Sequence, residues 1–477
     1  MYSKKLPFIL LCFSIFLFMF FSKIYKQTYV MKSFKTPHKE MTVDGVMSSV
    51  WGDLPTTTNF TSLQKSSSAR WSVARLEHPK AQYCVGDILS VQVEMRDYEG
   101  SPKAQGGDFI LARIHSPKLH ASASGAITDL LNGSYGVHFR LFWPGEVCVS
   151  VLLIHSSEAV SVLTRISKQN YGKIVYTGTF ARGSKVETSV CGLRLKTDKA
   201  LCEYRKKEDG EYYACVRPQT LPCSSLKTMR SYNSPSPYLT QDEGRLLAWW
   251  TSSLCQTGRF LSAGAINRCL QGKRLHLLGD STVRQWIECL EKKLEGLTYV
   301  EPVDHFSTKL AVDSHRNITV QWKKHSLPFI SAHNINVNNC VYISRELDRI
   351  EVGEGQPDVV VVIGVGQHFR PFPPELFIQR LINMRQAIVR LQSRSPQALV
   401  IIKLENTREL SSVMTIQSDW YGHVQNLAQR KVFEDLKVVL VDAWDMSVAA
   451  NTFATHPENI VVSNEIVVAL SHLCHYP

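Results

Sequence analysis

Three segments in the N-terminal half of the chain alternate apolar and polar residues, the period that predicts half-buried β-strands. They are residues 88–95, 135–142 and 147–154. Turn-forming sequences stand between them, including Gly106-Gly107-Asp108, Asn132-Gly133 and Pro144-Gly145. Short strands at this spacing predict that residues 71 to about 185 form an all-β sandwich.

The pattern changes from residue 271 onward, where short apolar runs alternate with helical periods. The predicted buried strands are residues 274–278, 358–363, 398–402 and 437–441. The predicted helices are residues 283–294, 374–391, 420–436 and 462–473. Buried strands that alternate with helices predict a parallel sheet covered on both faces. Residues 318–322 are expected to add an antiparallel insertion to this α/β domain.

These patterns predict a multidomain chain. Residues 1–26 form a signal anchor or signal peptide, 27–70 a stem rich in Ser and Thr, and 71–223 the β-sandwich with a Cys-rich appendage from 186. Residues 224–270 are expected to be a linker, because Pro and Ser interrupt regular patterns there. Residues 271–477 form the α/β domain.

The amino terminus indicates the compartment. Residues 6–21 are an apolar run broken by one serine, with lysines on both sides. No small-residue cleavage pattern follows the run, which favours an uncleaved signal anchor over a cleaved signal peptide. Either form delivers the rest of the chain to the secretory lumen. The protein is therefore expected to be a Golgi type II membrane protein or a secreted, extracellular one.

Sequons and cysteines agree with a lumenal location. Three N-x-S/T sequons predict glycosylation at Asn59, Asn132 and Asn317. Eleven of the 12 cysteines lie beyond the apolar run, and an oxidising lumen is expected to pair most of them. No C-x-x-C pair occurs, so no metal site is predicted, and no bound cofactor is expected either.

Composition and charge limit the kinds of binding partner that this chain is expected to have. The chain has 477 residues, 44% of them hydrophobic and 20% charged, which excludes global disorder. Its formal net charge of +12 favours an anionic partner. A lumenal chain does not meet nucleic acid. The expected partners are therefore acidic glycans or glycoproteins, with the membrane contacted through the N-terminal anchor.

Candidate chemistry collects where the predicted parallel strands end, which is where open α/β sheets place their sites. Ser281, residues 364–368, Asp442 and His456 all fall at this edge. Ser281 stands at a strand-to-helix turn, where the helix dipole favours an oxyanion. A simpler interpretation is that Asp280 and Ser281 only cap the helix.

Several motifs resemble a known family. Gly279-Asp280-Ser281-Thr282-Val283-Arg284, with His456-Pro457 before the last helix, resembles the PC-esterase branch of the SGNH hydrolase superfamily, which acylates or deacylates glycans. The upstream motifs that resemble a neurexophilin-like, filamin/immunoglobulin-type domain are residues 106–109, 132–135 and 141–145. Residues 215–218 and 366–373 fit as well. Together they resemble the neurexophilin and PC-esterase domain (NXPE) family over roughly residues 71 to 477.

The resemblance implies roles for individual residues. Ser281 matches the nucleophile and His456 the general base. Gly366 and Gln367 lie where related enzymes place oxyanion-hole donors, beside the N–H of Ser281 itself.

The orienting acid does not match the family pattern, since Phe453 stands where related enzymes have Asp. Asp442 or Asp445 is expected to orient His456 instead, unless a backbone carbonyl does so.

Three residues flank the expected cleft as candidates for substrate binding: Arg284, His368 and Arg370. Guanidinium groups pair with carboxylates in bidentate fashion, which would suit an acidic sugar. Each arginine can equally bind a structural carboxylate, and His368 can be a structural residue.

Two functions follow from these patterns. The first is a lumenal glycan O-acyltransferase or esterase, most simply one that O-acetylates an acidic sugar such as sialic acid, with acetyl-CoA as a co-substrate. The second is a neurexophilin-like binding protein, which takes a protein ligand through the β-sandwich and carries an inert C-terminal domain. The intact Gly-Asp-Ser and His-Pro motifs favour the first function, and Phe453 favours the second.

Overall fold

A computed structural model describes residues 41–168, 173–206, 211–234, 241–246, 263–301, 304, 306–353, 358–408 and 414–474. Residues Thr42–Pro477 form one compact unit, and the description below concerns that unit. The expected signal anchor, 1–26, lies outside the described residues. In the described part of the chain, no helix is both long and apolar enough to cross a membrane.

The C-terminal part of the expected stem is folded. Helix α1, Val43–Asp53, begins at the N-cap Thr42, whose hydroxyl accepts the Gly45 N–H. It buries Val46 and Val50. This apolar pair explains why the segment packs against the body of the protein rather than extending from it.

The predicted β-sandwich is present as two antiparallel sheets. Its strands are β1 Val73–Leu76, β2 Ile88–Glu94, β3 Phe109–Ser116, β4 Ala121–Ser124, β5 Ala126–Asp129, β6 Ser134–Arg140 and β7 Cys148–His155. The sheets have the orders β1-β2-β6-β5 and β4-β3-β7. Alternate residues such as Val91, Val93 and Val137 fill the core between them. Helix α2, Ser157–Ser167, follows.

The Cys-rich segment forms a further antiparallel sheet. Its strands are β8 Ile174–Arg182, β9 Lys185–Gly192, β10 Leu201–Lys206, β11 Glu211–Val216 and β12 Leu226–Asn233. A short strand at Ile335–Asn336 completes the order β10-β11-β9-β8-β12 at its β12 edge. Disulfide Cys191–Cys215 joins β9 to β11, and Cys202–Cys223 joins β10 to the turn before β12, as the predicted stapled appendage requires.

Part of the range 224–270, expected to be a linker, is regular. Strand β12 lies inside this range and pairs with β8. Helices α3, Gln241–Leu246, and α4, Ala263–Leu270, follow within it. The apolar positions Leu226 and Met229 are buried in the sheet core, and this burial outweighs the local turn signals.

The C-terminal half contains the predicted mostly parallel sheet. Its strands are β13 Lys273–Gly279, β14 Thr298–Tyr299, β15 Thr308–Asp313, β16 Ile318–Lys324, β18 Asp358–Gly364, β19 Leu399–Lys403 and β20 Val439–Val441, with β17 being Ile335–Asn336 of the neighbouring sheet. The order is β14-β15-β16-β13-β18-β19-β20. The strands from β16 to β20 in this order are parallel.

Strand β16 corrects the expectation for residues 318–322. It pairs antiparallel with β15, but it also pairs in parallel with β13, with Lys324 opposite Gly279. The segment is therefore part of the central sheet rather than an insertion beside it. Its alternating pattern misled the prediction, because its second face is only partly covered.

Helices cover this sheet. They are α5 Ser281–Lys293, α6 Ile343–Arg349, α7 Pro374–Arg394, α8 Met414–Gln417, α9 Asp419–Phe433, α10 Ala443–Ala450 and α11 Asn459–Cys474. Every residue from Val359 to Gly364 is buried, which requires cover on both faces. The disulfide Cys269–Cys474 ties α4 to the end of α11.

The β-sandwich and the α/β sheet are in direct contact. Arg113 of β3 donates to the Ala449 carbonyl at 3.1 Å, and the His155 and Ser418 side chains lie 2.7 Å apart. The Cys-rich sheet also contacts the α/β domain, because the buried Glu211 carboxylate of β11 pairs with Arg380 of α7.

Two features relate the fold to its compartment. The three disulfides indicate folding in the secretory pathway. The sequon residues Asn59, Asn132 and Asn317 are all exposed, so each is accessible for the predicted glycosylation.

Candidate active site

Ser281 is presented by a tight strand-to-helix turn at the carboxyl end of β13. Asp280 is the N-cap of α5 and accepts the Thr282 N–H at 2.9 Å and the Thr282 hydroxyl at 2.7 Å. Gly279 is required here, because a Cβ on it would lie 1.9 Å from the Gly364 carbonyl oxygen. Ser281 is therefore the first helical residue, and its side chain is not used for capping.

His456 lies beside Ser281, with its Nε2 atom 2.7 Å from the serine Oγ. The histidine follows α10 and precedes α11. Its loop is held to α5 by the Gln285 amide, which donates to the Pro457 carbonyl at 2.9 Å. Two residues separated by 175 positions in sequence thus form the nucleophile–base contact that acyl transfer needs.

The electrostatic surroundings keep the His456 base neutral. Partial burial lowers the pKa of His456, and the nearby Arg284 cation lowers it further. A neutral ring is the form that accepts a proton. For Ser281 to donate to Nε2, the proton of the neutral ring lies on Nδ1.

The two carboxylates expected to orient His456 are engaged by other groups. Asp442 caps α10 by accepting the Asp445 N–H at 3.0 Å, and it forms an ion pair with Arg430. Asp445 interacts with Ser124 of the β-sandwich. Asp442 follows β20, whose carboxyl end starts α10, so the capping role takes its carboxylate.

The expected oxyanion-hole donors are used inside the protein. The Gly366 N–H donates to Glu405 Oε1 at 2.8 Å, and the Gln367 amide donates to the Asn406 carbonyl at 3.2 Å. A loop after β19 thus takes both donors, contrary to the prediction. The Ser281 N–H is at the first position of α5 and has no intrahelical acceptor. It is therefore the remaining expected donor to an oxyanion.

Arg370 is engaged by partners inside the fold. Its side chain has no exposed surface and pairs with Asp419 at 2.9 Å. It also donates to the carbonyls of Asn406, Gln417 and Ser418. The prediction of substrate binding is therefore corrected to a structural role, because these four partners satisfy the guanidinium from within the fold.

Arg284 and His368 are both at the site edge but differ in setting. Arg284 lies one turn after Ser281, pairs with Glu288 at 3.1 Å and covers the Trp322 ring. His368 Nδ1 lies 2.8 Å from His325 Nε2, and His325 Nδ1 lies 2.8 Å from the Ser326 carbonyl. Since a carbonyl only accepts, His325 Nδ1 carries a proton and His368 Nδ1 donates to His325.

The structure places three further residues at the site that the sequence analysis missed. Lys324 is the last residue of β16, His325 follows it, and Glu405 lies two residues after β19. Lys324 and His325 lie just beyond the run 318–322, which was assigned to an antiparallel insertion, so they were not expected at the end of a central strand. Nothing in the local sequence marks Glu405, since its partner is 39 residues away.

Glu405 is a buried carboxyl with an unusual pKa. Burial raises the pKa of Glu405 to about 7, and the charge of Asp280 also raises it. The cations Arg370 and Lys403 act in the opposite direction. Its Oε2 atom is buried without a hydrogen-bond partner, whereas Oε1 accepts the Gly366 N–H. This carboxyl therefore titrates near neutral pH.

Replacing Glu405 by Gln is expected to change the pH dependence of stability. The folded pKa of about 7 exceeds the unfolded value of 4.5, so the folded state holds an extra proton between these values. The wild type therefore loses stability as pH rises from 4.5 to 7, by at most roughly 3 kcal/mol. The amide side chain that Glu405→Gln introduces cannot ionise. The free energy of unfolding of the variant should therefore rise relative to that of the wild type as pH increases over this interval. Urea unfolding of both proteins at about pH 5, 6, 7 and 8 measures this difference. Parallel plots of unfolding free energy against pH for the two proteins would contradict it.

Among the described residues, no group of three or more His, Cys, Asp or Glu side chains is arranged to hold a metal ion.

The fold and site define an α/β protein with a serine–histidine pair at the carboxyl edge of its sheet. Residues 59–233 match the neurexophilin family, and residues 250–474 match the family described as "NXPE family member 4-like, C-terminal domain". The chain thus combines a neurexophilin domain with an NXPE-type C-terminal domain, and the resemblance to the NXPE family is confirmed.

Several solved structures with a detectable similarity to this chain are carbohydrate esterases. A family 2 carbohydrate esterase with a carbohydrate-binding domain from Corynascus thermopiles (Myceliophthora fergusii) has 13% identity and a TM-score of 0.25, and the match covers 64% of this chain and 92% of that chain. A family two carbohydrate esterase from Cellvibrio japonicus has 11% identity and a TM-score of 0.22, with 86% and 99% covered. The acetyl xylan esterase Est2A from Butyrivibrio proteoclasticus has 12% identity and a TM-score of 0.24, with 87% and 94% covered. Similarities of this size identify no substrate for this chain.

Proposed function

We propose that this protein is a glycan-modifying O-acyltransferase or esterase of the secretory lumen, which O-acetylates an acidic sugar such as sialic acid. The observation that carries the proposal is the 2.7 Å contact between Ser281 Oγ and His456 Nε2. A serine hydroxyl is a weak nucleophile at its ordinary pKa and needs such a base.

The reaction would proceed in two half-reactions. Ser281 Oγ attacks the acetyl carbonyl of a donor such as acetyl-CoA while His456 takes the serine proton. The tetrahedral oxyanion is held by the Ser281 N–H, and His456 returns the proton to the leaving thiolate. A sugar hydroxyl then gives its proton to His456 and attacks the acetyl-serine, and His456 returns the proton to the departing Ser281 Oγ. If water takes the place of the sugar, the same residues act as an esterase.

The acidic sugar is supported by the charge at the site. Arg284, Lys324 and Arg408 each lower the pKa of a histidine at this edge, so cations lie around the nucleophile. Such an environment favours an anionic substrate. The exposed sequon residues and the disulfides support a lumenal enzyme, either a Golgi type II membrane protein or a secreted one.

The experiment that tests the proposal uses the purified glycoprotein with acetyl-CoA and a sialylated glycan. We expect acetyl-sialic acid to accumulate, as measured by mass spectrometry, with free thiol released in equal amount. Thiol release without acetylated sugar would identify an esterase-type or thioesterase-type reaction. A folded protein that turns over neither sugar nor simple acetyl esters would instead favour the inert, neurexophilin-like binding protein, whose exposed Val85, Ile88 and Phe142 on the β-sandwich would suit a protein ligand.

A further inference from the structure

Lys324 is a buried lysine next to the nucleophile. It ends β16 and lies opposite Gly279 of β13, two residues before Ser281. It shares the buried face of β16 with Val320 and Trp322, the face against which α5 packs. Only 5% of Lys324 is exposed.

The ammonium group of Lys324 has no counter-ion in the part of the chain that the structure describes. Its Nζ atom lies 5.6 Å from the centre of the Phe329 ring. Within the described ranges, no carboxylate is within ion-pair distance of it and no hydrogen bond to it is formed. The charges of Asp280 and Asp304 act on Lys324, but both carboxylates accept hydrogen bonds from other donors.

The neighbouring cations differ from Lys324 in this respect. Lys323, the preceding residue on the other face of the strand, pairs with Glu346 at 2.5 Å. Lys309 of β15 pairs with Glu288 at 3.0 Å, and Arg284 pairs with the same carboxylate. Burial of an unpaired ammonium is costly, and it lowers the pKa of Lys324. A bound anion would offset this cost by supplying the opposite charge and would favour the protonated lysine.

Lys324 is electrostatically coupled to the residues around the candidate active site, and its strand partner Gly279 leads into the Ser281 turn. The charge of Lys324 acts on the His368 and His325 rings, and His368 in turn is influenced by His456. Arg284, one turn after Ser281, also senses Lys324. An anion that reached Lys324 would therefore lie among the residues that surround the nucleophile.

We propose that Lys324 binds the carboxylate of the acidic sugar that accepts the acyl group. This inference rests on the proposed function and assigns the residue that recognises its substrate. A single ammonium matches the single charge of a sugar carboxylate. Lys324 and Gly279 are register partners on adjacent strands about 4.8 Å apart, and Ser281 lies two residues after Gly279, so the Lys324 side chain starts close to the nucleophile. The phosphates of acetyl-CoA are separated from its thioester by the long pantetheine arm and do not fit so short a distance.

A binding experiment tests this without turnover. In the Ser281→Ala background, we would titrate the methyl glycoside of N-acetylneuraminic acid and its neutral methyl ester, using calorimetry or ligand-detected NMR. The acid should bind at least about tenfold more tightly than the ester, a difference of about 1.4 kcal/mol. Lys324→Met should abolish that difference, and Lys323→Met, the matched control on the opposite face, should keep it.

Three outcomes would overturn the proposal: equal affinities for acid and ester, an acid preference that survives Lys324→Met, or a Lys324→Met protein that loses affinity for acetyl-CoA but not for the sugar. Lys324→Gln serves if the Met variant does not fold, and the comparison of acid with ester on the unchanged lysine needs no variant at that position. Failure of the proposed function is a separate result, because a protein without turnover can still show carboxylate binding that depends on Lys324.

Discussion

Ser281→Ala is expected to remove acyl transfer while leaving the fold intact. The hydroxyl is the group that would form the acetyl-serine, so no residual route through this residue exists. General-base assistance is commonly worth about 10²–10⁴-fold in rate, and His456→Ala should lose at least that factor. Because the two side chains form one unit at 2.7 Å, the double variant should be hardly worse than either single one.

The structure makes the fold control simple. The N-cap of α5 is Asp280, whose carboxylate accepts from Thr282, so the helix keeps its cap when Ser281 loses its hydroxyl. The melting temperature of Ser281→Ala should therefore match the wild type. Ser471→Ala, which removes an exposed hydroxyl bonded only to the Val468 carbonyl, is the matched control for activity. The measurement is the initial rate of acetyl transfer for each variant. Losses that multiply in the double variant, or an active Ser281→Ala protein, would contradict the serine mechanism.

Much of the fold follows from local patterns, because they report burial directly. The run 358–363 is apolar throughout and forms β18, which is covered on both faces. Residues 374–391 carry a helical period and lie within α7. Strand β16 was harder, since one partly covered face makes a central strand look like an edge strand.

The site could be predicted only as far as topology brings residues together. Topology placed Ser281 and His456 at the same sheet edge, and the resemblance of their motifs to the family supplied their roles as nucleophile and base. The contact of Glu405 with Gly366 depends on how the loop after β19 packs against the turn after β18, and no local pattern encodes it. Arg370 was misread for the same reason, because its carboxylate partner lies 49 residues away.

Arg370→Met is expected to cause the largest loss of stability among substitutions near the site. Arg370 and Asp419 have no exposed side-chain surface and lie 2.9 Å apart. Removing the guanidinium leaves the Asp419 carboxylate buried without its counter-ion and deprives the Asn406 and Gln417 carbonyls of donors. Breaking one partner of a buried pair typically costs about 3–5 kcal/mol. Denaturant unfolding should show a loss of this size.

Arg390→Met is the matched control, because it removes the same charged group from the exposed surface of α7. Arg390 pairs with Asp348 at 2.7 Å, but the two side chains are 50% and 38% exposed. Exposed ion pairs contribute about 0–1 kcal/mol, so this variant should unfold near the wild-type midpoint. If Arg370 instead bound substrate, Arg370→Met would raise KM for the acidic sugar with an unchanged unfolding midpoint, and the buried-pair assignment would be wrong. Arg370→Lys should recover only part of the stability, since one ammonium cannot reach the carboxylate and the carbonyls on both sides that the planar guanidinium joins.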